Sequence, residues 1–191
     1  MTVIPFGSEV EPAWVDDVIR FWFEDGVREP DWFAKNADFD ARIRDRFLGL
    51  HDRLKAGGGF DSVAPRPLLA AVIVLDQFSR NMFRGDPRAY AADPIARRLA
   101  RTAIDAGFDT AMSTEQRLFL YLPLQHSENA GDQQLAMALM EALGNEEWTR
   151  FARAHKDIID RFGRFPHRNA ILNRISTPEE IAFLRQPGSS F

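Results

Sequence analysis

The 191-residue sequence contains no cysteine, which excludes disulfides, thiolate nucleophiles and cysteine-ligated metal centres. It also lacks any apolar run approaching the ~20 residues of a membrane-spanning helix, so no membrane contact is predicted. The first residues do not combine a basic stretch with an apolar one, as a secretory signal would. Together with the missing cysteines, this pattern predicts a cytoplasmic protein.

An excess of positive charge is missing as well, because the formal net charge is −4. Domains that bind DNA or RNA are usually basic, and no nucleic-acid partner is therefore predicted. Of the 24 basic residues, only three are lysines. Arginine makes planar bidentate contacts with carboxylates and phosphates that lysine cannot make. A GC-rich genome would also favour arginine, so only local arginine clusters indicate a binding site.

Established catalytic and cofactor motifs are absent from the sequence. It has no Walker loop, no dinucleotide-binding glycine pattern, no Gly-x-Ser-x-Gly and no zinc ribbon. The three glycines at 57–59 follow a helical segment and do not join a strand to a helix. They predict a flexible linker and not a phosphate-binding loop. The sequence thus indicates no particular cofactor and leaves open whether the protein is an enzyme.

Alternating strand patterns are missing, and helix signals dominate in their place. Apolar residues recur at three- and four-residue spacing, and residues suited to the first turn of a helix precede these stretches. The segment 67–78 is almost wholly apolar and could be a strand, but its length favours a buried helix. Pro123 is expected to kink or break the helix that contains it. Helix starts are predicted at or near Pro12, Asp38, Pro67, Asp93, Ser113, Asp132, Asn145 and Thr177. Among them, Asp38, Asp93 and Asn145 are predicted to cap their helices, and capping boxes are predicted at Ser113–Gln116 and Thr177–Glu180.

The order of these helices predicts an all-α fold. Two helix pairs begin at Pro94 and Asp132, 38 residues apart, which is close to the ~34-residue period of tetratricopeptide helix pairs. We therefore expect stacked antiparallel helix pairs in a tetratricopeptide-like array with an N-terminal helical portion, although the consensus residues of that repeat are missing. Residues 1–191 are expected to form a single all-helical domain, with a subdivision near 57–66 as the alternative.

The first of three polar clusters follows the most apolar helix. Asp76, Arg80 and Arg84 are spaced by four residues and would share one face of a helix. The arginines could hold an anionic ligand while Asp76 orients them; the alternative is a helix end fixed by buried ion pairs. The candidate residues of this cluster are Asp76, Gln77, Arg80, Asn81 and Arg84, with Asp86, Arg88 and Asp93 beyond it.

The second cluster contains His126 and Glu128, shortly after Pro123. A histidine beside a carboxylate can act as an acid, a base or a metal ligand, but it can also be a buried side chain that satisfies backbone groups. His155 lies on the apolar face of its helix and is expected to point inward. A metal site would require that His126, His155 and His167 converge, and their spacing does not predict one.

The third cluster, residues 161–169, combines three arginines, one histidine, two phenylalanines, a glycine and a proline. Gly163 predicts that a helix ends here and that the chain reverses direction. The turn would present a cationic group next to aromatic surface. The polar side chains of this group are Arg164, His167, Arg168 and Asn169.

Segments around all three clusters resemble the bacterial "domain of unknown function 924" family. The motifs that carry the resemblance are residues 75–85, 121–128, 161–169 and 176–180, with 18–23 and 32–33 near the start. The resemblance covers nearly the whole chain and implies an all-α, tetratricopeptide-like fold, but it supplies no activity, substrate or cofactor. Carried onto this chain, it gives as ligand-binding candidates Asp76, Gln77, Arg80, Asn81, Arg84, His126, Glu128, Arg164, His167, Arg168 and Asn169.

Three hypotheses about function remain open. The preferred one is an arginine- and histidine-rich pocket that binds an anionic small molecule or the acidic end of a peptide. The second is a hydrolase or lyase in which His126 and Glu128 form an acid–base pair, with His167 as a further catalytic candidate and with or without a metal ion. The third is a scaffold for protein–protein interactions. The oligomeric state is not predicted.

Overall fold

A computed structural model of the protein describes residues 11–25, 32–58 and 64–190, and every regular element among them is helical. The all-α prediction is therefore confirmed, and the apolar segment 67–78 is helix and not strand. Short 3-10 turns lie at Pro87–Tyr90, Phe108–Ala111 and Pro166–Arg168. The helices are α1 (Ala13–Phe23), α2 (Ala37–Lys55), α3 (Pro65–Val72, continued by a π-helical stretch Ile73–Phe78 and an α-helical turn Ser79–Met82), α4 (Asp93–Asp105), α5 (Thr114–Gln125), α6 (Ala130–Ala142), α7 (Glu146–Phe162) and α8 (Pro178–Leu184).

Local signals begin or end helices as predicted at several positions. Ser113 and Gln116 form the predicted capping box at the start of α5, and Asn145 accepts hydrogen bonds from two backbone amides at the start of α7. Gly163 ends α7 in the left-handed conformation, with a φ of 67°, which glycine adopts without steric cost. These signals act within one helical turn, so the sequence alone reveals them.

Two predicted caps are wrong, although the helices begin close to the predicted positions. Asp38 lies in the first turn of α2, whereas Asn36 caps the helix by accepting hydrogen bonds from the amides of Asp38 and Phe39. Asp93 is the first residue of α4 and not its cap, and its carboxylate binds Arg80. A guanidinium is a stronger donor to a carboxylate than a backbone amide is, so the ion pair takes precedence over the cap.

Helix α5 continues through Pro123 to Gln125, so the predicted break at this proline is absent. Proline removes one backbone donor, but the helix ends only two residues later and all its residues from Leu118 onward are buried. Tertiary packing therefore holds the last turn. Helix α6 begins at Ala130, slightly earlier than predicted, because Asn129 caps it.

Helix α3 forms the centre of the core. All residues from Pro67 to Ser79 are buried, and α1, α2, α4 and α5 pack around the helix, as a helix that is apolar on all sides requires. Aromatic rings fill the space between α1, α2 and α3: the ring centroid of Phe47 lies 5.0 Å from that of Phe21 and 4.8 Å from that of Phe78. Polar residues within this buried stretch, Asp76 above all, need partners from neighbouring helices.

Consecutive helices pack against each other along the chain: α4 on α3, α5 on α4, α6 on α5 and α7 on α6. The short connections 126–129 and 143–145 bring α5, α6 and α7 into antiparallel pairs. This arrangement is compatible with the expected tetratricopeptide-like array. A small second cluster, formed by Ile158, Ile159 and Phe165 with Phe162 and Phe183, attaches the C-terminal segment to α7.

Some expectations concern segments outside the described residues. Residues 1–10, on which the absence of a signal segment rests, lie outside them, and so do residues 59–63 within the alternative subdivision at 57–66. Among the helices that the structure describes, none is both long enough and apolar enough to cross a membrane.

Candidate functional site

Asp76 lies in the π-helical stretch Ile73–Phe78 of α3. Such stretches are rare and often occur at functional sites. The Asp76 side chain is only 1% exposed, and Arg80 Nη1 lies 3.0 Å from its carboxylate. Two more donors reach this carboxylate, Gln77 Nε2 at 2.6 Å and His126 Nδ1 at 2.9 Å. A buried carboxylate remains ionised only where partners of this kind compensate the lost hydration.

The electrostatics of Asp76 and His126 are set mainly by burial and by Arg80. Burial alone would raise the pKa of Asp76, but Arg80 and the His126 hydrogen bond hold this pKa well below its usual range. Burial and the Arg80 charge lower the pKa of His126, and they outweigh the attraction of Asp76. At neutral pH, Asp76 is therefore a carboxylate and His126 is a neutral imidazole.

Arg80 links α3 to the start of α4. Its Nη1 and Nη2 atoms donate to the two carboxylate oxygens of Asp93 at 3.0 and 3.1 Å. Nη1 also donates to the backbone carbonyl of Asp76 at 2.8 Å. Arg80 thus forms ion pairs with two carboxylates, which compensate its positive charge inside the protein.

Arg168 lies in the 3-10 turn Pro166–Arg168, and its guanidinium contacts two aromatic rings. The guanidinium carbon is 4.8 Å from the ring centroid of Tyr90 and 4.4 Å from that of Phe165. Its Nε is buried and has no hydrogen-bond partner among the described residues. The one described carboxylate within 4 Å is that of Asp93, 3.8 Å from Nη1, and the Arg168 side chain is 8% exposed. Burial and the neighbouring Arg80 lower the pKa of Arg168 to about 10.

These side chains form one connected group, which we call the polar centre. It consists of Asp76, Arg80, Asp93, His126 and Arg168. Residues from α3, α4, the C-terminal end of α5 and the turn after α7 meet here. The side chains of Arg80 and Asp93 are each 21% exposed and that of His126 is 14% exposed, so solvent reaches the edge of the group.

His126, His155 and His167 lie in one neighbourhood. The ring centroids of His126 and His155 are 6.0 Å apart, and the ring of Phe165 lies 5.6 Å from His155 and 5.5 Å from His167. Burial lowers the pKa of His155 to about 3, and burial together with Arg168 lowers that of His167 to about 4. Within residues 11–25, 32–58 and 64–190, no group of three histidine or carboxylate side chains has the geometry to hold a metal ion.

The carboxylate bound to His126 is that of Asp76 and not that of Glu128, which the acid–base hypothesis paired with it. Glu128 accepts a hydrogen bond from the backbone amide of Phe165 at 2.8 Å and binds both terminal nitrogens of Arg174 at 2.7 and 2.9 Å. Helix α5 ends at Gln125, so His126 and Glu128 do not share a helical face. Glu128 therefore joins the end of α5 to the segment after α7.

Asn81 and Arg84, two further candidates, bind Asp40 of α2. Asn81 Nδ2 donates to Asp40 at 2.7 Å, and the Arg84 guanidinium donates to both Asp40 oxygens at 2.8 and 2.9 Å. The Arg84 side chain is 39% exposed. These contacts join α3 to α2, whereas the polar centre involves α4, α5 and the turn after α7.

Arg164 and Asn169 belong to a separate polar group around Glu180, which we call the C-terminal clamp (Arg164, Asn169, Thr177 and Glu180). Arg164 donates to both Glu180 oxygens at 2.6 and 2.8 Å and to the backbone carbonyl of Ile175 at 2.9 Å. Glu180 also completes the predicted capping box with Thr177 at the start of α8. The Arg164 hydrogen bond is the main cause that lowers the pKa of Glu180 to about 2.

A further histidine, His51, has a catalytic-looking geometry that the sequence did not reveal. Its Nε2 lies 2.9 Å from Ser79 Oγ and its Nδ1 lies 3.2 Å from Asp52. Ser79 is fully buried, and its hydroxyl donates to the carbonyl of Leu75 at 2.7 Å. A substrate cannot reach this hydroxyl, so the arrangement joins α2 to α3 and is structural.

Sequence reasoning gave no role in the site to four side chains that shape the polar centre and its surroundings. Asp93 was interpreted as a helix cap, and Tyr90, Phe165 and Arg174 were not singled out as site residues. Each acts through a partner that is remote in sequence: Tyr90, for example, lies under Arg168. The sequence held a signal for Asp93, which opens a helix shortly after the first polar cluster, and for Phe165, which lies within the third.

The fold and the polar centre define an all-helical protein with a buried, arginine-rich ion-pair network. The chain belongs to the family described as "bacterial protein of unknown function (DUF924)", whose model matches residues 18–188, so the resemblance seen in the sequence is confirmed. A solved structure of ATU0120, a protein of unknown function from Agrobacterium tumefaciens, is similar, with a TM-score of 0.85 and 42% identity over 91% of this chain and 97% of that one. No curated protein matches the chain.

Proposed function

We propose that the polar centre binds the anionic group of a small molecule and that Arg168 is its principal ligand. The observation that carries the proposal is the buried guanidinium of Arg168, whose Nε has no hydrogen-bond partner among the described residues. A guanidinium has five donors in one plane, and the ring centroids of Tyr90 and Phe165 lie 4.8 and 4.4 Å from the guanidinium carbon of Arg168. Donors in one plane suit the bidentate geometry of a carboxylate or phosphate.

The other candidate arginines support this assignment by contrast. Arg80, Arg84 and Arg164 each donate through two nitrogens to the two oxygens of one carboxylate. Asp93, the carboxylate near Arg168, already receives both terminal nitrogens of Arg80. Arg168 thus has a buried charge that the described residues compensate only in part, and such a charge is costly unless a ligand completes its contacts.

The accessible edge of the polar centre favours a small ligand. The exposed fractions are low throughout: 8% for Arg168, 14% for His126 and 21% for Arg80. A single carboxylate or phosphate group can approach such an edge, whereas an extended chain would need a longer open surface. The C-terminal carboxylate of a peptide has the same chemistry, so a panel that contains both kinds of ligand distinguishes the two.

The test is calorimetry and thermal unfolding of the full chain with inorganic phosphate, citrate, acetate and a short peptide with a free C-terminus. We expect at least one of these anions to raise the Tm by roughly 5–10 °C at a 100-fold excess over its Kd. Arg168→Met should abolish the shift, because methionine keeps the contact with the two rings but has no donors. Arg84→Met is the matched control and should keep it. An equal shift in wild type and Arg168→Met would overturn the proposal.

A further inference from the structure

We infer that His126 is the proton acceptor of this site, with its Nε2 directed at the anionic small molecule held by Arg168 and with Asp76 as its positioning residue. The inference rests on the proposed anion site and adds an acid–base reaction to binding. Its substrate class is a carboxylate- or phosphate-bearing molecule with a transferable oxygen-bound proton, on the molecule itself or on a water beside it.

The geometry fixes which ring nitrogen of His126 carries the proton. Nδ1 lies 2.9 and 3.0 Å from the two oxygens of Asp76. An ionised carboxylate can only accept hydrogen bonds, so Nδ1 is the protonated nitrogen and Nε2 has a lone pair. The Asp76 carboxylate is itself held by Gln77 and Arg80. The imidazole is therefore locked in one tautomer and one orientation, as in carboxylate–histidine couples that act as bases.

The charged and titratable groups around His126 come from several elements. Asp76 and Arg80 lie on α3, His155 on α7, and His167 and Arg168 in the turn after α7, while Asp93 at the start of α4 binds Arg80. The arginines oppose a positive charge on the ring, and Arg80 is the larger influence. The two other histidines are themselves neutral at neutral pH, since burial lowers the pKa of both. Before a ligand arrives, His126 is thus a neutral base that has a proton on Nδ1 and a lone pair on Nε2.

A bound anion changes this balance in favour of proton transfer. Its negative charge next to Arg168 offsets the cations that oppose protonation of His126, so the basicity of Nε2 rises when the site is filled. In the transfer step, an O–H bond of the substrate or of the adjacent water breaks and an Nε2–H bond forms. The electron pair stays on the oxygen, and Asp76 stabilises the resulting imidazolium. The imidazolium then returns the proton to the product or the leaving group.

The tautomer is measured first, on the 15N-labelled full chain, with long-range 1H–15N spectra of the histidine rings and His126→Gln for assignment. At pH 7 we expect His126 to be neutral with the proton on Nδ1. Asp76→Asn should populate the Nε2–H tautomer, because the Asn amide can donate to Nδ1. Asp40→Asn, which removes a carboxylate bound to Asn81 and Arg84, should leave the ring unchanged. A protonated or Nε2–H ring in the wild type would overturn the inference, whether or not Asp76→Asn folds.

The proximity of His126 to the bound anion is measured next, with diethyl pyrocarbonate and inorganic phosphate. The lone pair of Nε2 attacks a carbonyl carbon of the reagent, an N–C bond forms, the anhydride C–O bond breaks and ethyl carbonate leaves with the Nδ1 proton. We expect saturating phosphate to slow the modification of His126 at least fivefold by mass spectrometry. An unchanged rate with phosphate shown to be bound by calorimetry would overturn the inference alone. Absence of binding for every anion tested would overturn the proposed function itself and, with it, the assignment of His126.

Discussion

The polar centre and the C-terminal clamp both contain arginines from the same nine residues, 161–169, yet these arginines have opposite surroundings. In the clamp, Arg164 uses two nitrogens for Glu180 and one of them again for Ile175. In the polar centre, Arg168 has a buried Nε without a described partner and lies 3.8 Å from a carboxylate that is already occupied. An arginine whose charge is matched by a carboxylate of its own fixes the chain, whereas one whose buried charge is matched only in part can accept a ligand.

Solvent sharpens the difference between these two regions. The Arg164 side chain is 29% exposed, so water reaches its guanidinium, whereas its partner Glu180 is only 3% exposed and depends on that contact. Arg168 is 8% exposed, so water cannot easily replace a missing acceptor there. The same residue type at four-residue spacing therefore serves as a structural contact in one region and as a candidate ligand in the other.

The largest expected effect lies in the polar centre, at Arg80. Arg80→Met removes the partner of Asp76, which is 1% exposed, and of Asp93. Breaking a buried pair leaves a carboxylate uncompensated and typically costs about 3–5 kcal/mol. We therefore expect the free energy of unfolding, measured with urea, to fall by about that amount.

Arg84→Met is the matched control for Arg80→Met. Arg84 also binds a carboxylate through two nitrogens, but its side chain is 39% exposed, and exposed pairs contribute about 0–1 kcal/mol. A loss of stability at Arg84 that equals the loss at Arg80 would show that burial does not separate these two sites.

The next effect is the pH dependence of stability, which the histidines beside the polar centre and the glutamate of the clamp produce in different pH ranges. Burial lowers the pKa of His155 to about 3 and that of His167 to about 4, whereas an unfolded histidine titrates near pH ~6.5. Below this pH the unfolded state binds more protons than the native state, so stability falls as the pH falls. Each such histidine contributes a slope of up to ~1.4 kcal/mol per pH unit.

The clamp responds only at lower pH. The folded pKa of Glu180 is about 2, chiefly because of the Arg164 hydrogen bond, and its unfolded pKa is ~4.3. Its contribution is fully present above the unfolded value and is lost as the pH falls toward 2. Urea unfolding at several pH values should therefore show a decline between pH 6.5 and 5, and His155→Gln should reduce its slope. A flat profile in that range would contradict the buried neutral histidines.

Much of the fold could be predicted from the sequence, because its determinants are local. Apolar spacing gives each helix, and the capping box of Ser113 and Gln116 lies within a single turn. The errors arose where a distant partner intervened, as at Asp93, whose carboxylate binds Arg80 and does not cap α4. Packing likewise carries α5 through Pro123, and no local rule anticipates that.

The candidate site was predictable as a set of residues but not as a set of contacts. The sequence pointed to His126 and placed Glu128, two residues away, as its partner, whereas the structure gives it Asp76, 50 residues away. The sequence also could not show that Arg164 and Arg168 differ in their partners, because carboxylates and rings from other segments determine which donors of a guanidinium have acceptors. Charge and spacing identify which side chains can act; only the folded arrangement shows which donors remain unused.

The smallest expected effect is the difference between Arg168→Met and Arg164→Met in the free energy of unfolding, measured without any anion. This difference separates the two regions most directly. Arg168→Met loses the cation–π attraction to Tyr90 and Phe165. It also removes a buried charged group, and burial already lowers the pKa of Arg168 to about 10. The two contributions oppose each other, so we expect a change in the free energy of unfolding below about 1 kcal/mol.

Arg164→Met should instead destabilise the protein, because Glu180 loses its bidentate partner. Parallel urea titrations in a phosphate-free buffer of low ionic strength measure both variants. A residue that can be removed without loss of stability, but not without loss of anion binding, is retained for binding. If Arg168→Met unfolded the protein while Arg164→Met left it unchanged, the order would be reversed. The polar centre would then be the structural region of the two, and Arg168 would stabilise the fold through its rings and Asp93.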